Sequence, residues 1–227
     1  MVTQNILDLL EYCIFDGELT EENFEWKIID NLPKDFSYDY FHGVSKCVII
    51  PKGAEYVIKI PFTGGESDDY DYYDEETDSY VNEEPHYWDF EYAHGDSGWD
   101  YCQVELILWK KARRKRIEKI LCKPRLIGFI NNHPIYIQER AVSLCLTPTK
   151  YYSKERTSKT SKICEEKSYP NFNLVWQTDV LEYYGEKAFN KMMEFFKDNY
   201  IDSDLHDGNI GYIGTRPVIL DYSSWWD

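Results

Sequence analysis

The stretch from Asp202 to Ser223 leaves this chain few ways to fold locally. It reads Asp202-Ser203-Asp204-Leu205-His206-Asp207-Gly208-Asn209, then Ile210-Gly211-Tyr212, a glycine at 214, and Val218-Ile219-Leu220-Asp221. Two short apolar runs joined at Gly214 predict a β-hairpin, and Gly208 permits a tight turn before it. A loop followed by such a hairpin sets Asp204, Asn209 and Asp221 at one edge and aims Asp221 back at Asn209. Phosphoryl transfer needs such groups: a carboxylate that accepts a hydroxyl proton, and an amide and second carboxylate that hold a divalent cation against phosphates. A polar surface hairpin rich in Asp and Gly is the plainer alternative, so the upstream residues decide.

Residues 3–15 carry Ile6, Leu7, Leu9, Leu10 and Ile14 at helical spacing, with Thr3 as N-cap. A second helix is predicted over 20–31, with Phe24, Ile28 and Trp26 inward and Pro33 ending it. Residues 36–51 and 55–62 read as strands joined by the turn Pro51-Lys52-Gly53. Alternation in Tyr56-Val57-Ile58-Lys59-Ile60 puts Val57 and Lys59 on one face. A lysine on an apolar face must find an anion, whereas an edge-strand lysine would simply face water. Over 101–120 the apolar stripe Val104, Ile107, Leu108, Ala112, Ile117 and Ile120 predicts a helix with Lys110, Lys111, Arg113, Arg114, Lys115 and Arg116 outside, and Glu105 sits beside that stripe. Residues 126–130 and 135–138 form another hairpin around Asn131-Asn132-His133-Pro134. Residues 150–168, rich in Ser, Thr, Lys and Glu, read as a mobile loop. Residues 179–200 give the clearest helix, with Leu181, Tyr184, Ala188, Met192, Phe195 or Phe196, and Tyr200 on one side.

With 227 residues, 43% of them hydrophobic and 17% aromatic, the chain can bury a core. Its formal charge of −16 argues against direct nucleic-acid binding, which needs a basic face. Residues 66–100 hold 14 of the 41 acidic residues and no Lys or Arg, which leaves only −2 for the remainder. Nine aromatics stand in the same stretch. A solvated insertion lying on the chain's own basic helix fits this composition. So does a surface that imitates phosphates and stacked bases toward a basic protein. The six cysteines are scattered without a C-x-x-C pair, which predicts reduced thiols rather than disulfides or zinc. Asp8 and Glu11 interrupt the leading apolar run, and no run reaches the roughly 18 residues of a membrane helix. A cytoplasmic protein without a membrane partner is the expectation.

The run Asp-Leu-His-x-Gly-Asn resembles the catalytic loop of the protein-kinase-like superfamily, and is more like its aminoglycoside and choline phosphotransferase branch than like eukaryotic protein kinases. Asp221-Tyr222-Ser223 stands where that superfamily has its metal-binding Asp-Phe-Gly, and Tyr56-Val57-Ile58-Lys59 resembles its Val-Ala-Ile-Lys strand. The resemblance implies an α+β, two-lobed protein-kinase-like fold: a helical extension over 1–34, a first lobe over 35–141 with an acidic insertion at 66–100, and a reduced second lobe over 142–227. It implies Mg2+ and ATP as cofactors, Asp204 as catalytic base, Lys59 on the phosphates with Glu105, or second to it Glu118, orienting it, and Asn209 and Asp221 on the metal. Gly43 and Ser45 stand at the phosphate cover, which has one glycine where the family has several. Glu139 and Ala141 stand at the hinge that binds adenine. Asp202 and Ser203 replace the family's usual residues before the catalytic Asp, so the loop's support differs. Six residues follow Asp221, which implies a minimal C-terminal lobe without an activation segment. The expected activity is transfer of the ATP γ-phosphate to a hydroxyl acceptor. The alternative is a non-catalytic kinase-like binding protein, such as a phage or mobile-element inhibitor, whose acidic aromatic segment engages a basic, nucleic-acid-binding partner.

Overall fold

The computed structural model describes residues 2–43, 45–62, 71–74, 79–82, 101–146 and 153–223. Helix α1 (Val2–Leu10) and the short α2 (Phe24–Lys27) precede strands β1 (Tyr38–His42), β2 (Lys46–Pro51) and β3 (Tyr56–Pro61). Strands β4 (Asp71–Asp74) and β5 (Ser79–Asn82) make a small hairpin, and helix α3 spans Tyr101–Lys115. Then come β6 (Pro124–Ile130), β7 (His133–Glu139), β8 (Val142–Ser143), helices α4 (Lys154–Lys167), α5 (Leu174–Tyr184) and α6 (Glu186–Asp198), and strands β9 (Ile210–Ile213) and β10 (Arg216–Ile219). The architecture is α+β. A five-stranded antiparallel sheet has the order β1-β2-β3-β7-β6, and a three-stranded one has the order β10-β9-β8.

The two hairpins predicted for the larger sheet form where turn chemistry demands them. Gly53 takes a left-handed φ of 79° between β2 and β3, and Asn131 and Asn132 take 46° and 70° between β6 and β7. One face of this sheet, through Cys47, Ile49, Ile58, Ile60 and Ile135, packs on Ile6, Leu10, Phe15, Leu19, Phe24 and Ile28 of the leading segment. That segment therefore completes the sheet's own core. A second core gathers Leu108 and Ala112 of α3, Trp176 and Val180 of α5, Phe189, Met192 and Phe196 of α6, and Ile210, Ile219 and Tyr222. Among the described residues no helix is long and apolar enough to cross a membrane.

Several predicted elements end differently, each for a local reason. The second helix shrinks to α2 and a 3-10 turn, Ile29–Asn31. Lys27 turns inward to donate to the Asp16 and Glu18 carbonyls, and Trp26 stays 51% exposed. Helix α3 stops at Lys115 because Arg116 adopts φ 62°, letting Ile117 donate to the Ala112 carbonyl and drop into the core. The stretch read as a mobile loop is α4, capped by Ser153, whose side chain accepts from the Arg156 N–H. Its buried stripe is Thr157, Thr160, Ile163 and Cys164, and Arg156 ties it to Asp179 and Glu182 of α5. The long helix predicted over 179–200 is α5 and α6, broken at Gly185, whose φ of 83° is open to glycine and strained for other residues. Tyr200 lies beyond α6 and is 55% exposed. The acidic stretch falls mostly outside the described residues. Its described parts, β4 and β5, form a hairpin where an unbroken loop is expected.

Candidate active site

Strand register alone brings two lysines together. Lys46 lies opposite Pro61 and Val48 opposite Lys59, while Val57 lies opposite Gln138 and Lys59 opposite Tyr136. Opposed residues point to the same face, and the side-chain period is two. Lys46, Lys59 and Gln138 therefore share the face that the leading segment does not cover. Helix α3 lies against β3 and β6, and its Glu105 is fully buried.

Glu105 is the hub. Lys59 Nζ donates to Glu105 Oε1 at 2.7 Å and to Oε2 at 2.9 Å, and Lys46 Nζ donates to Oε1 at 3.1 Å. Gln138 Nε2 adds a bond to Oε2 at 3.2 Å. Every partner is a donor, which is what a carboxylate, an acceptor only, requires. Lys46 also reaches Asp221 Oδ1 at 2.9 Å and Ser223 Oγ at 3.2 Å, while Lys59 donates to the Leu220 carbonyl at 3.2 Å. Two ammonium groups thus face two carboxylates, and the set is neutral.

The predicted hairpin delivers Asp221. Gly214 makes the turn at φ 60°, and the Cys122 N–H donates to the Ile219 carbonyl as β10 ends. The fully buried Tyr222 anchors the next step by donating its hydroxyl to the Cys122 carbonyl at 2.8 Å. The Asn209 carbonyl accepts from the Leu220 N–H at 2.7 Å and the Asp221 N–H at 3.4 Å. Asn209 Nδ2 donates to the Asp204 carbonyl at 2.9 Å and to Asp204 Oδ2 at 3.1 Å. The loop is held from outside by Asp207, whose carbonyl accepts from the Ser143 hydroxyl and the Cys145 N–H and whose carboxylate accepts from Asn173 Nδ2. These contacts fix the loop that carries Asp204 and Asn209.

Electrostatics separates the carboxylates. Burial opposes ionisation of Asp221, but Lys46 and Lys59 outweigh it and hold the carboxyl far below the usual range. Burial works to strip the proton from Lys46, and Asp221 and Glu105 hold it on, so that amine titrates above an ordinary lysine. Burial, and after it the Asp221 charge, pushes Asp204 upward, against the pull of His206, Lys46 and the Asn209 hydrogen bond. Asp204 is thus the more basic of the two aspartates.

The structure brings Lys59, Glu105 and Asp221 into direct contact or one bond apart and ties Asp204 and Asn209 to each other and to the Asp221 segment. Gly43, between β1 and β2, is exposed, and a Cβ there would meet nothing within 4 Å, so nothing local demands its glycine. Ser45 accepts through its carbonyl from the Phe62 N–H. Glu139 at the end of β7 spends its N–H on the Lys123 carbonyl and its carboxylate on the Lys123 N–H and Arg216, so its side chain is a brace rather than a ligand group. Ala141 is half-buried in the link from β7 to β8. The sequence assigned no side-chain role to Lys46 or Gln138, and it placed Tyr222 and Ser223 beside Asp221 without showing that Tyr222 anchors the segment and Ser223 accepts from Lys46. Lys46 and Gln138 follow from the parity that found Lys59, once strand register is known.

Among the described residues no three His, Cys, Asp or Glu side chains converge as a metal cage. Asp221, with 27% of its side chain exposed, and Asn209 with its neighbour Asp204 offer hard oxygen donors in a small number. Hard oxygen donors in small number are the kind taken by magnesium, which keeps waters and binds through one or two carboxylates and substrate phosphates. No protein-family model and no curated protein matches this chain.

Proposed function

We propose that the protein is an atypical, kinase-like phosphotransferase that binds Mg-ATP between two lobes and transfers the γ-phosphate to a hydroxyl acceptor. The observation that carries this reading is the Lys59–Glu105 pair, with Glu105 fully buried, joined through Lys46 to Asp221. Lys59 of β3, Glu105 of α3 and Asp221 after β10 belong to one ion set, which supports the reading, and Lys46 of β2 joins them without a counterpart in the resemblance. A buried lysine held extended by a fixed glutamate is preorganised for phosphate oxygens.

In this reading Lys59 holds the nucleotide phosphates and Glu105 fixes its direction. Asn209 and Asp221 would hold magnesium, which would supply positive charge against that of the transferred group. Asp204 takes the proton of the acceptor hydroxyl, a task suited to a carboxyl raised by burial and by Asp221. The link through Arg140 and Ala141 passes from the larger sheet to the smaller and is where adenine would lie.

ATP with magnesium is expected to raise the melting temperature by linkage. Lys59→Ala and Asp221→Ala should each remove that shift, and no shift in the unmodified protein at millimolar ATP rejects the reading. Asp204→Asn should lower phosphate transfer by about 10²-fold or more with ATP binding retained.

A further inference from the structure

Lys46 stands beyond the set of groups assigned above, yet its side chain is 5% exposed and its Nζ lies 2.9 Å from Asp221 Oδ1. Lys59 already engages both oxygens of Glu105, so Lys46 is the cation matched to Asp221. Asp221 is also the carboxylate that magnesium would take. An ammonium at hydrogen-bond distance and a divalent ion on the same carboxylate repel each other strongly where water is scarce. The two ammoniums and two carboxylates are neutral together. A metal ion arriving alone would leave roughly +2 of uncompensated charge beside buried lysines. A metal ion arriving with a polyphosphate would not.

We infer that Lys46 is a built-in competitor for the metal position on Asp221: a divalent cation enters only together with nucleotide phosphates, and the displaced Lys46 ammonium moves onto those phosphates. Lys46 is in this sense a positioning residue that makes metal and nucleotide binding mutually dependent. The inference rests on the nucleotide-binding reading above. The donor set agrees with it, because among the described residues no three-residue cage forms, and one or two carboxylates gain little from a bare ion.

The test is titration of Mn2+ followed by the electron paramagnetic resonance of the free ion. The unmodified protein should bind Mn2+ in the presence of a non-hydrolysable ATP analogue and not in its absence. Lys46→Met should bind Mn2+ alone, with an affinity gain on the order of tenfold or more. Lys46→Arg keeps a cation on Asp221 and should behave as the unmodified protein does. Mn2+ binding to the unmodified protein as tightly without the analogue as with it overturns the inference. So does a folded Lys46→Met variant that gains no metal binding while the unmodified protein still binds the analogue with Mn2+; that outcome leaves the nucleotide reading standing. Failure to bind the analogue under any metal condition overturns both. If Lys46→Met does not fold, the Lys46 ammonium resonance of the unmodified protein, assigned by its loss in Lys46→Arg, decides. It should shift with Mg2+ and the analogue together and not with Mg2+ alone, and any other pattern overturns the inference.

Discussion

Glu105 shows how much one side chain can carry. It accepts from two lysines and supplies one of the two charges that balance them, so Glu105→Gln keeps the shape but leaves one uncompensated positive charge in a buried site. Breaking a buried ion pair by removing one partner costs about 3–5 kcal/mol. Urea unfolding should show a loss of that size, and a loss under about 1 kcal/mol would mean the cluster is more hydrated than its burial indicates. Asp221 gives the pH counterpart. Its carboxyl is depressed in the folded protein below the ordinary 3.8. Its stabilising contribution is therefore complete above about pH 5, shrinks below 3.8 and is gone beneath the depressed value. Unfolding free energy measured between pH 5 and pH 2 should fall more gently in Asp221→Asn than in the unmodified protein. Asp204 has the opposite sign: its raised carboxyl makes the ionised form a cost at neutral pH, so Asp204→Asn should raise the melting temperature while lowering transfer. Lys59 and Glu105 were legible in the sequence because alternation and helical spacing put them on apolar faces. Lys46 was not, since a lysine that opens an apolar strand looks the same whether it faces water or a buried carboxylate.

Elements were legible where the chain announces its turns and obscure where buried faces are built from small polar residues. The hairpins around Pro51-Lys52-Gly53, Asn131-Asn132 and Gly214 needed only turn chemistry. Helix α4 hid because its inward residues include Thr157, Thr160 and Cys164, which do not raise an apolar periodicity. The break at Gly185 hid because apolar residues keep helical spacing across it. Strand β8, two residues long, had no pattern to show. Yet β8 is tightly constrained: a Cβ on Gly211 would lie 2.0 Å from the Val142 carbonyl oxygen, and this neighbour is backbone. Gly211→Ala should therefore push β8 off β9 at a cost of about 1–3 kcal/mol. Loss of hydrogen-exchange protection at Ser143 and Tyr212 would accompany it, whereas an unchanged melting temperature would contradict the close approach. Removing the α4 cap with Ser153→Ala should cost about 1 kcal/mol without altering the ion cluster.

At the scale of the whole molecule, the two cores do not follow chain order. The larger sheet takes strands from before and after α3, while α3 itself delivers Leu108 and Ala112 to the other core. Cuts at single boundaries would leave either half without strands or helices it needs, so the protein should unfold as one cooperative unit. Coincident transitions by far-ultraviolet circular dichroism and by tryptophan fluorescence would bear this out, and two separated transitions would not. The spacing of the ion partners adds a consequence in time. Lys46 and Asp221 are 175 residues apart in sequence, and Lys59 and Glu105 are 46 apart. During synthesis Lys46, Lys59 and Glu105 emerge long before Asp221, so the emerging chain carries two lysines and one glutamate that have nowhere neutral to go and stay hydrated. The strand face that bears them cannot close until the ribosome has released the segment through Asp221 and Tyr222. Nascent chains arrested before Asp221 should stay open to limited proteolysis in β2 and β3 after those strands have left the exit tunnel, and gain resistance only when Asp221 follows them out.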